Sequence, residues 1–317
     1  MKTVYPNNKM LKKKFLYILG LAFGIYLLLR YFPTFEIPGM PSDLAATSRK
    51  EAAAPAADTV IVLNQQTGKN ETKELCVVRE YDFKGASADD PQLVTYIRKQ
   101  LLEPPSLSPY HLSDPNKVHF SQYGQSKYAA EEILRGMRGG FFIEAGALDG
   151  EYLSNTLYFE RELGWRGLLI EPHPEAYQQL RQKHRNAFVM NVALSTTPEA
   201  TEISFVLDPK YNELSHIGEK GVKVIGVPFY SILLALEVKV VDFLSLDVEA
   251  FEMKILQTIP WDKVRFRLMC IEVDHIPEGV EYLKKYLTER GYEFLGVRDV
   301  DAWFGWPSLL EETKKPR

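Results

Sequence analysis

Gly140-Phe141-Phe142-Ile143-Glu144-Ala145-Gly146-Ala147-Leu148-Asp149-Gly150 decides the fold. A short apolar run ends in an acid, a turn with two glycines follows, and residues 154–164 then read as helix. Strand, glycine turn and helix form the opening unit of a doubly wound α/β sheet, whose ligands sit beyond the carboxyl ends of the strands. Gly146 and Gly150 allow dihedrals that a Cβ forbids and a close approach of backbone to ligand. Trp165-Arg166-Gly167-Leu168-Leu169-Ile170-Glu171 repeats the buried-strand pattern and also ends in an acid, placed to accept hydrogen bonds from ribose hydroxyls.

The two strands together read as a nucleoside-cofactor site, against the plainer reading of a βαβ turn with no ligand. The dinucleotide fingerprint needs G-x-G-x-x-G and an acid about 20 residues further on. Glu171 satisfies the spacing, but the turn reads E-x-G-x-x-x-G, with Asp149 inside it and Glu151 directly after. A pyrophosphate at a helix N-terminus calls for positive field. The acidic turn instead suits a sulfonium, so the expected cofactor is S-adenosylmethionine.

Composition bounds the rest. The 317 residues allow one large or two small domains, and 45% hydrophobic with 25% charged residues is ordinary for a globular chain. A net charge of −4 gives no footing for nucleic acid. Two cysteines, Cys76 and Cys270, exclude a disulfide-dense scaffold and a cysteine-built zinc site, though one bridge between them stays open.

Residues 15–29 (FLYILGLAFGIYLLL) carry no charge and run on through Arg30-Tyr31-Phe32, with Lys2, Lys9, Lys12, Lys13 and Lys14 ahead of them. This predicts a basic cytoplasmic tail at 1–14, a transmembrane signal-anchor at 15–32 and a lumenal remainder; a cleaved signal peptide is the competitor. The short span suits the thinner early secretory membranes, endoplasmic reticulum and Golgi, better than the plasma membrane. Residues 33–90 read as a stem, rich in Pro, Ala, Ser and Thr over 33–73, with a glycosylation sequon at Asn70-Glu71-Thr72. Residues 91–317 read as the folded domain.

Within that domain, helical rhythm is expected at 91–102, at 125–136 (a helix closing over the cofactor), 174–184, 230–236, 251–258 and 278–290. Strands are expected at 187–194, 201–207, 222–227, 240–248 and 266–273, with a closing antiparallel pair at 292–297 and 301–306. The alternation predicts a mostly parallel sheet.

Polar groups stand at strand ends: Glu144, Glu171, Asp247 with Glu249, and Glu272 with Asp274 and His275. A parallel sheet gathers such ends at one edge, where several acids repel one another unless a cation binds. Read singly, each is as readily a helix cap or a solvated turn. Asp247, Glu249 and His275 are the candidate catalytic residues, by holding an acceptor hydroxyl or taking its proton. Glu252 reads as a helix cap. A metal on Asp247, Asp274 and His275 is chemically conceivable, but no spacing demands it and none is expected.

Separated motifs resemble the FkbM-type methyltransferase domain. They are Glu144-Ala145-Gly146-Ala147-Leu148-Asp149-Gly150 with Ser154-Asn155-Thr156, then Gly167-Leu168-Leu169-Ile170-Glu171-Pro172, then Asn191-Val192-Ala193-Leu194, then Leu246-Asp247-Val248-Glu249-Ala250-Phe251-Glu252. The resemblance runs over about 121–306. It implies a seven-stranded class I methyltransferase (Rossmann-like) fold. It places Glu144, Gly146 and Gly150 around the methionine part of the cofactor with Asn155 beside them, Glu171 on the ribose, and Asn191 and Val192 beside the adenine. Asp247 and Glu249 fall next to the acceptor. Where the family usually has glycine this chain has Ala250, which narrows the acceptor side.

The Ser-Asn-Thr variant, Ser121-Gln122-Tyr123-Gly124-Gln125 and a single N-terminal span also resemble the Star-like single-pass membrane proteins of arthropods. Two functions therefore stand side by side. One is a membrane-anchored O-methyltransferase of the secretory lumen. The other is a secretory-pathway trafficking factor that binds a growth-factor-precursor cargo and transfers no methyl group.

Overall fold

The structure, a computed structural model, describes residues 59–63, 70–74, 82–208, 215–219 and 221–309. The charge-free run at 15–29 and Cys76 lie outside those residues. Among the described residues no helix is long and apolar enough to cross a membrane. The chain divides into two compact units, Met1–Val77 and Val78–Arg317. In the first, β1 (Thr59–Leu63) pairs antiparallel with β2 (Asn70–Glu74), within the stretch read from composition as an irregular stem.

The second unit is built on β3 (Phe141–Ala145), β4 (Arg166–Ile170), β5 (Phe188–Met190), β10 (Val240–Leu246), β11 (Arg265–Glu272), β12 (Glu293–Arg298) and β13 (Asp301–Gly305). They form one seven-stranded sheet in the order β12-β13-β11-β10-β3-β4-β5. The five strands from β11 to β5 are parallel; β13 lies antiparallel between β11 and β12. The order reverses between β3 and β10, and the crevice beyond their carboxyl ends is the topological switch point where open α/β sheets bind ligands.

Both faces are covered, so the middle of each parallel strand is mostly apolar. Successive residues alternate between two cores: Phe142, Phe243, Leu268 and Trp303 face one side, Ile143, Leu244, Met269 and Phe304 the other. The first core is closed by α2 (Gln125–Lys127) with its π-helical continuation Tyr128–Ile133, α3 (Leu157–Leu163) and α4 (Pro174–Gln182). The second is closed by α1 (Pro91–Tyr96) with its continuation Ile97–Leu101, α5 (Phe229–Leu236), α6 (Glu252–Thr258) and α7 (Val280–Thr288). Burying one Phe or Leu side chain contributes roughly 1.5–3 kcal/mol, which makes this double-sided sandwich the main source of stability.

The strand expected at 187–194 is divided. β5 ends at Met190, Asn191 and Val192 break the pairing, and β6 (Ala193–Leu194) joins a second, four-stranded sheet. That sheet has the order β6-β9-β7-β8, with β7 (Thr201–Val206), β8 (His216–Ile217) and β9 (Val222–Val227). The folded unit also begins ahead of residue 91. Gly85 N donates to Ala200 O at 2.8 Å, Ala200 N donates to Ala86 O at 2.8 Å, and Phe83 and Ala86 pack on the core.

Candidate active site

The carboxyl ends of β3, β4, β10 and β11 open into a cavity of about 320 Å3. Its wall includes Gln122, Tyr123 and Gln125 from the segment leading into α2, and Phe205, Ser215 and Ile217 from the second sheet. Of the residues singled out in the sequence, Glu144, Gly146, Asn155, Glu171, Val192, Asp247, Glu249 and His275 line it.

Gly146 has φ 86, and a Cβ there would overlap the carbonyl oxygen of Asp247. Only glycine lets the end of β3 turn this tightly against the end of β10. The turn is pinned from the other side as Gly146 N and Ala147 N both donate to Ile170 O at 3.1 Å.

Glu171 is buried, and its two oxygens accept from Leu148 N and His173 N, each at 2.7 Å. Burial pushes its carboxyl up to about 8, against the pull of those two amides. Each carboxylate oxygen keeps a further lone pair, so a diol can still be accepted.

Glu144 is occupied differently. It accepts from Ser154 Oγ at 2.9 Å, from Asn155 N at 2.6 Å and from Thr156 Oγ1. Burial raises its pKa, and the Arg185 guanidinium together with these hydrogen bonds lowers it. Its work is to hold the Ser154-Asn155-Thr156 loop, which presents Asn155 to the cavity. Asn155 Nδ2 donates to Ser245 Oγ at 3.0 Å, while its Oδ1 is buried and has no hydrogen-bond partner. That oxygen is an acceptor in search of a donor.

Other residues singled out in the sequence stand away from the cavity. Gly150 is not on the cavity wall: its carbonyl accepts from Arg185 Nη1, and a Cβ there would meet Leu180 and Arg185. Asn191 is also off the wall, with Nδ2 donating to Glu171 O at 2.7 Å and Pro172 O at 3.2 Å, so it braces the strand end that carries Glu171. Asp149 and Glu151, read as an acidic lining of the turn, are absent from this cavity wall. Lys183 Nζ lies 3.2 Å from Asp149 and 2.6 Å from Glu151, and Glu151 also accepts from Ser113 N and Asp114 N at 2.7 Å.

The acidic wall comes from other residues: Glu144, Glu171, Asp247, Glu249, Glu272, Asp274 and Asp301, with no lysine or arginine among the described residues lining the cavity. Asp247 is exposed and opens onto the cavity. Desolvation, then Glu249, Glu272, Glu252 and Asp301, raise its pKa well above the ordinary carboxylate range. His275 Nδ1 lies 3.1 Å from Glu249 and 3.7 Å from Glu272. Glu252, expected to cap α6, is its first residue and accepts instead from Val248 N, ahead of the helix, at 2.8 Å; no side chain caps α6. The Asp247, Asp274 and His275 trio does not assemble as a set of ligands; the acids whose oxygens converge are Asp247, Glu252 and Glu272.

Arg185 is the residue that sequence patterns missed. Fully buried, it donates to Glu160 Oε2 at 3.0 Å, to Ser154 Oγ at 3.4 Å and to Thr156 Oγ1 at 3.3 Å. It follows α4 in a stretch with no periodicity, where an arginine reads as solvent-exposed. The left-handed backbone at Glu249 (φ 55) and Ala250 (φ 76) was likewise invisible. It gives a second reason for the family's glycine at position 250: the position needs positive φ.

No curated protein matches this sequence. Among solved structures, an FkbM methyltransferase from Methylobacillus flagellatus KT is 16% identical with a TM-score of 0.41, over 59% of this chain and 48% of that one. The chain thus spans about half the length of that relative. Fibrillarin from Aeropyrum pernix, in complex with natively bound S-adenosyl-L-methionine, is 13% identical with a TM-score of 0.32, over 58% of this chain and 73% of that one. A TehB-like SAM-dependent methyltransferase from Corynebacterium glutamicum is 11% identical with a TM-score of 0.32, over 59% and 89%. Residues 144–294, just under half of the chain, match the family model described as the methyltransferase FkbM domain.

Proposed function

We propose that this chain is an S-adenosylmethionine-dependent O-methyltransferase, tethered through residues 15–32 to a membrane of the secretory pathway. The observation that carries the reading is the cavity wall: acids from four strand ends and, among the described residues, no lysine or arginine. Such a wall favours a cation and repels phosphates. S-adenosylmethionine supplies, when bound, a methyl group on a cationic sulfur.

The residues present fit that cofactor. Glu171 accepts from the ribose hydroxyls, Gly146 lets backbone close on the methionine part, and Asn155 Oδ1 accepts from an ammonium. Ile170, Val192, Ala193 and Leu194 give the adenine an apolar bed. On the acceptor side Asp247 holds the hydroxyl. His275, whose Nδ1 lies 3.1 Å from Glu249, would take the acceptor's proton at its other ring nitrogen. The charge-free run at 15–29 after a lysine-rich tail supports the tether.

Detergent-solubilised full chain titrated with S-adenosylmethionine should show one-site binding heat and a raised unfolding midpoint, both lost in Glu171→Ala. Absence of heat and of a midpoint shift in the unaltered chain would leave a fold kept for cargo binding, and the enzymatic reading would be abandoned.

A further inference from the structure

Asp247 stands just beyond the tip of β10, Glu252 in the first turn of α6 and Glu272 at the end of β11. The β10–β11 ladder fixes their relative positions up to the Leu246–Ile271 pair. One carboxylate oxygen from each lies within 4.8 Å of the others. Oxygen ligands of a single magnesium, manganese or calcium ion, bonded at roughly 2.0–2.6 Å, stand at most about 4–5 Å apart.

Clustered acids alone are common, and each of these has a structural duty. Glu252 Oε1 accepts from Val248 N at 2.8 Å, and Glu272 Oε1 accepts from Asp274 N at 2.6 Å. Those bonds use one oxygen of each. The second oxygen, Oε2 in both cases, is buried without a hydrogen-bond partner, in residues that are 0% and 5% exposed. A buried carboxylate oxygen left unpaired is costly, and the bonds to Val248 N and Asp274 N do not account for two of them. Among the described residues lining the cavity the one basic side chain is His275, itself mostly exposed.

We propose that Asp247, Glu252 and Glu272 bind one divalent cation of the magnesium, manganese and calcium class at the acceptor end of the cavity. An all-oxygen ligand set selects these hard ions over zinc or copper. Asp247 opens to the cavity, so the ion has a way in and keeps positions for water or an acceptor oxygen. The site does not depend on the cofactor reading.

The test uses full chain stripped with chelator and titrated with Mn2+ in the absence of cofactor, followed by electron paramagnetic resonance. One Mn2+ per chain is expected, displaced by excess Mg2+ or Ca2+, with binding at least tenfold weaker in Glu252→Gln and in Glu272→Gln. Glutamine keeps the carbonyl that serves Val248 or Asp274, and circular dichroism confirms folding of each variant; should one fail to fold, the cavity-facing Asp247→Asn replaces it. No bound Mn2+ at 1 mM, or undiminished binding in the variants, overturns the site. A methylammonium ion that binds where Mn2+ does not would also overturn it, by making the acids a pocket for an amine acceptor. Mn2+ binding with no affinity for S-adenosylhomocysteine would instead sink the cofactor reading and leave the metal site standing.

Discussion

Glu171 must be ionised to receive both hydroxyls of a ribose, and burial has raised its pKa to about 8. At pH 7 only roughly one site in ten is then a carboxylate. S-adenosylhomocysteine, which lacks the sulfonium, should therefore bind about tenfold more tightly at pH 9 than at pH 7. At pH 7 binding should release a proton, seen as a dependence of the calorimetric heat on buffer ionisation enthalpy. Linkage runs the other way for the cofactor-free fold. A raised carboxyl favours the protonated state, so its contribution to stability is full below about pH 4.5 and is lost as pH climbs through about 8. Glu171→Gln should flatten the binding profile; a profile that keeps its slope in that variant assigns the titration elsewhere. The place of Glu171 on the cavity wall was legible because an acid that ends a parallel strand falls at the carboxyl edge of the sheet. Ala250 was legible only as a departure from a family pattern. An alanine at φ 76 carries a strain of roughly 1–2 kcal/mol, of which a glycine gives back about 0.5–1 through a looser unfolded state. Ala250→Gly should leave the urea midpoint equal or higher, by up to about 1 kcal/mol, and a clear loss would remove strain as the reason for the family's glycine.

At the scale of elements, the loop between β3 and α3 is held by polar groups rather than by packing. Glu144 receives the Ser154–Thr156 segment from one side, and Arg185, paired with Glu160, holds it from the other. Both members of the Arg185–Glu160 pair are shielded from water, so removing one leaves the other charge uncompensated. Arg185→Met should cost about 3–5 kcal/mol in urea unfolding. The double variant Arg185→Met with Glu160→Gln should recover part of that loss, which a simple packing defect would not do. None of this network could be read from spacing, since its members come from three stretches joined only in space. The elements themselves were legible wherever periodicity spoke, as at β10, β11, α4 and α7. The division of the 187–194 run was not, because both halves are apolar and buried. What separates them is Asn191, whose side chain bonds to the backbone of the Glu171–Pro172 segment and takes the chain out of the ladder.

On the scale of the whole molecule, the sheet order places chain-distant acids at one rim, and alternation of apolar strands and helices was enough to anticipate that. Where the folded unit begins was harder, because residues 82–90 carry no periodic pattern and resemble the stem before them. Their role is set by what they touch. Gly85 and Ala86 exchange backbone hydrogen bonds with Ala200, and Ser231 Oγ donates to Ala88 O at 2.6 Å. Phe83 and Ala86 cover the core shared by α1 and α5. At about 0.5–1.5 kcal/mol per hydrogen bond, with the apolar contact added, loss of this segment should cost on the order of 3–5 kcal/mol. A fragment covering 78–317 should unfold cooperatively and bind S-adenosylhomocysteine as the full chain does, whereas one covering 91–317 should unfold at distinctly lower urea. Equal midpoints for the two fragments would show that the contacts at Ala200 and Ser231 contribute nothing net, and that the domain starts at the first helix after all.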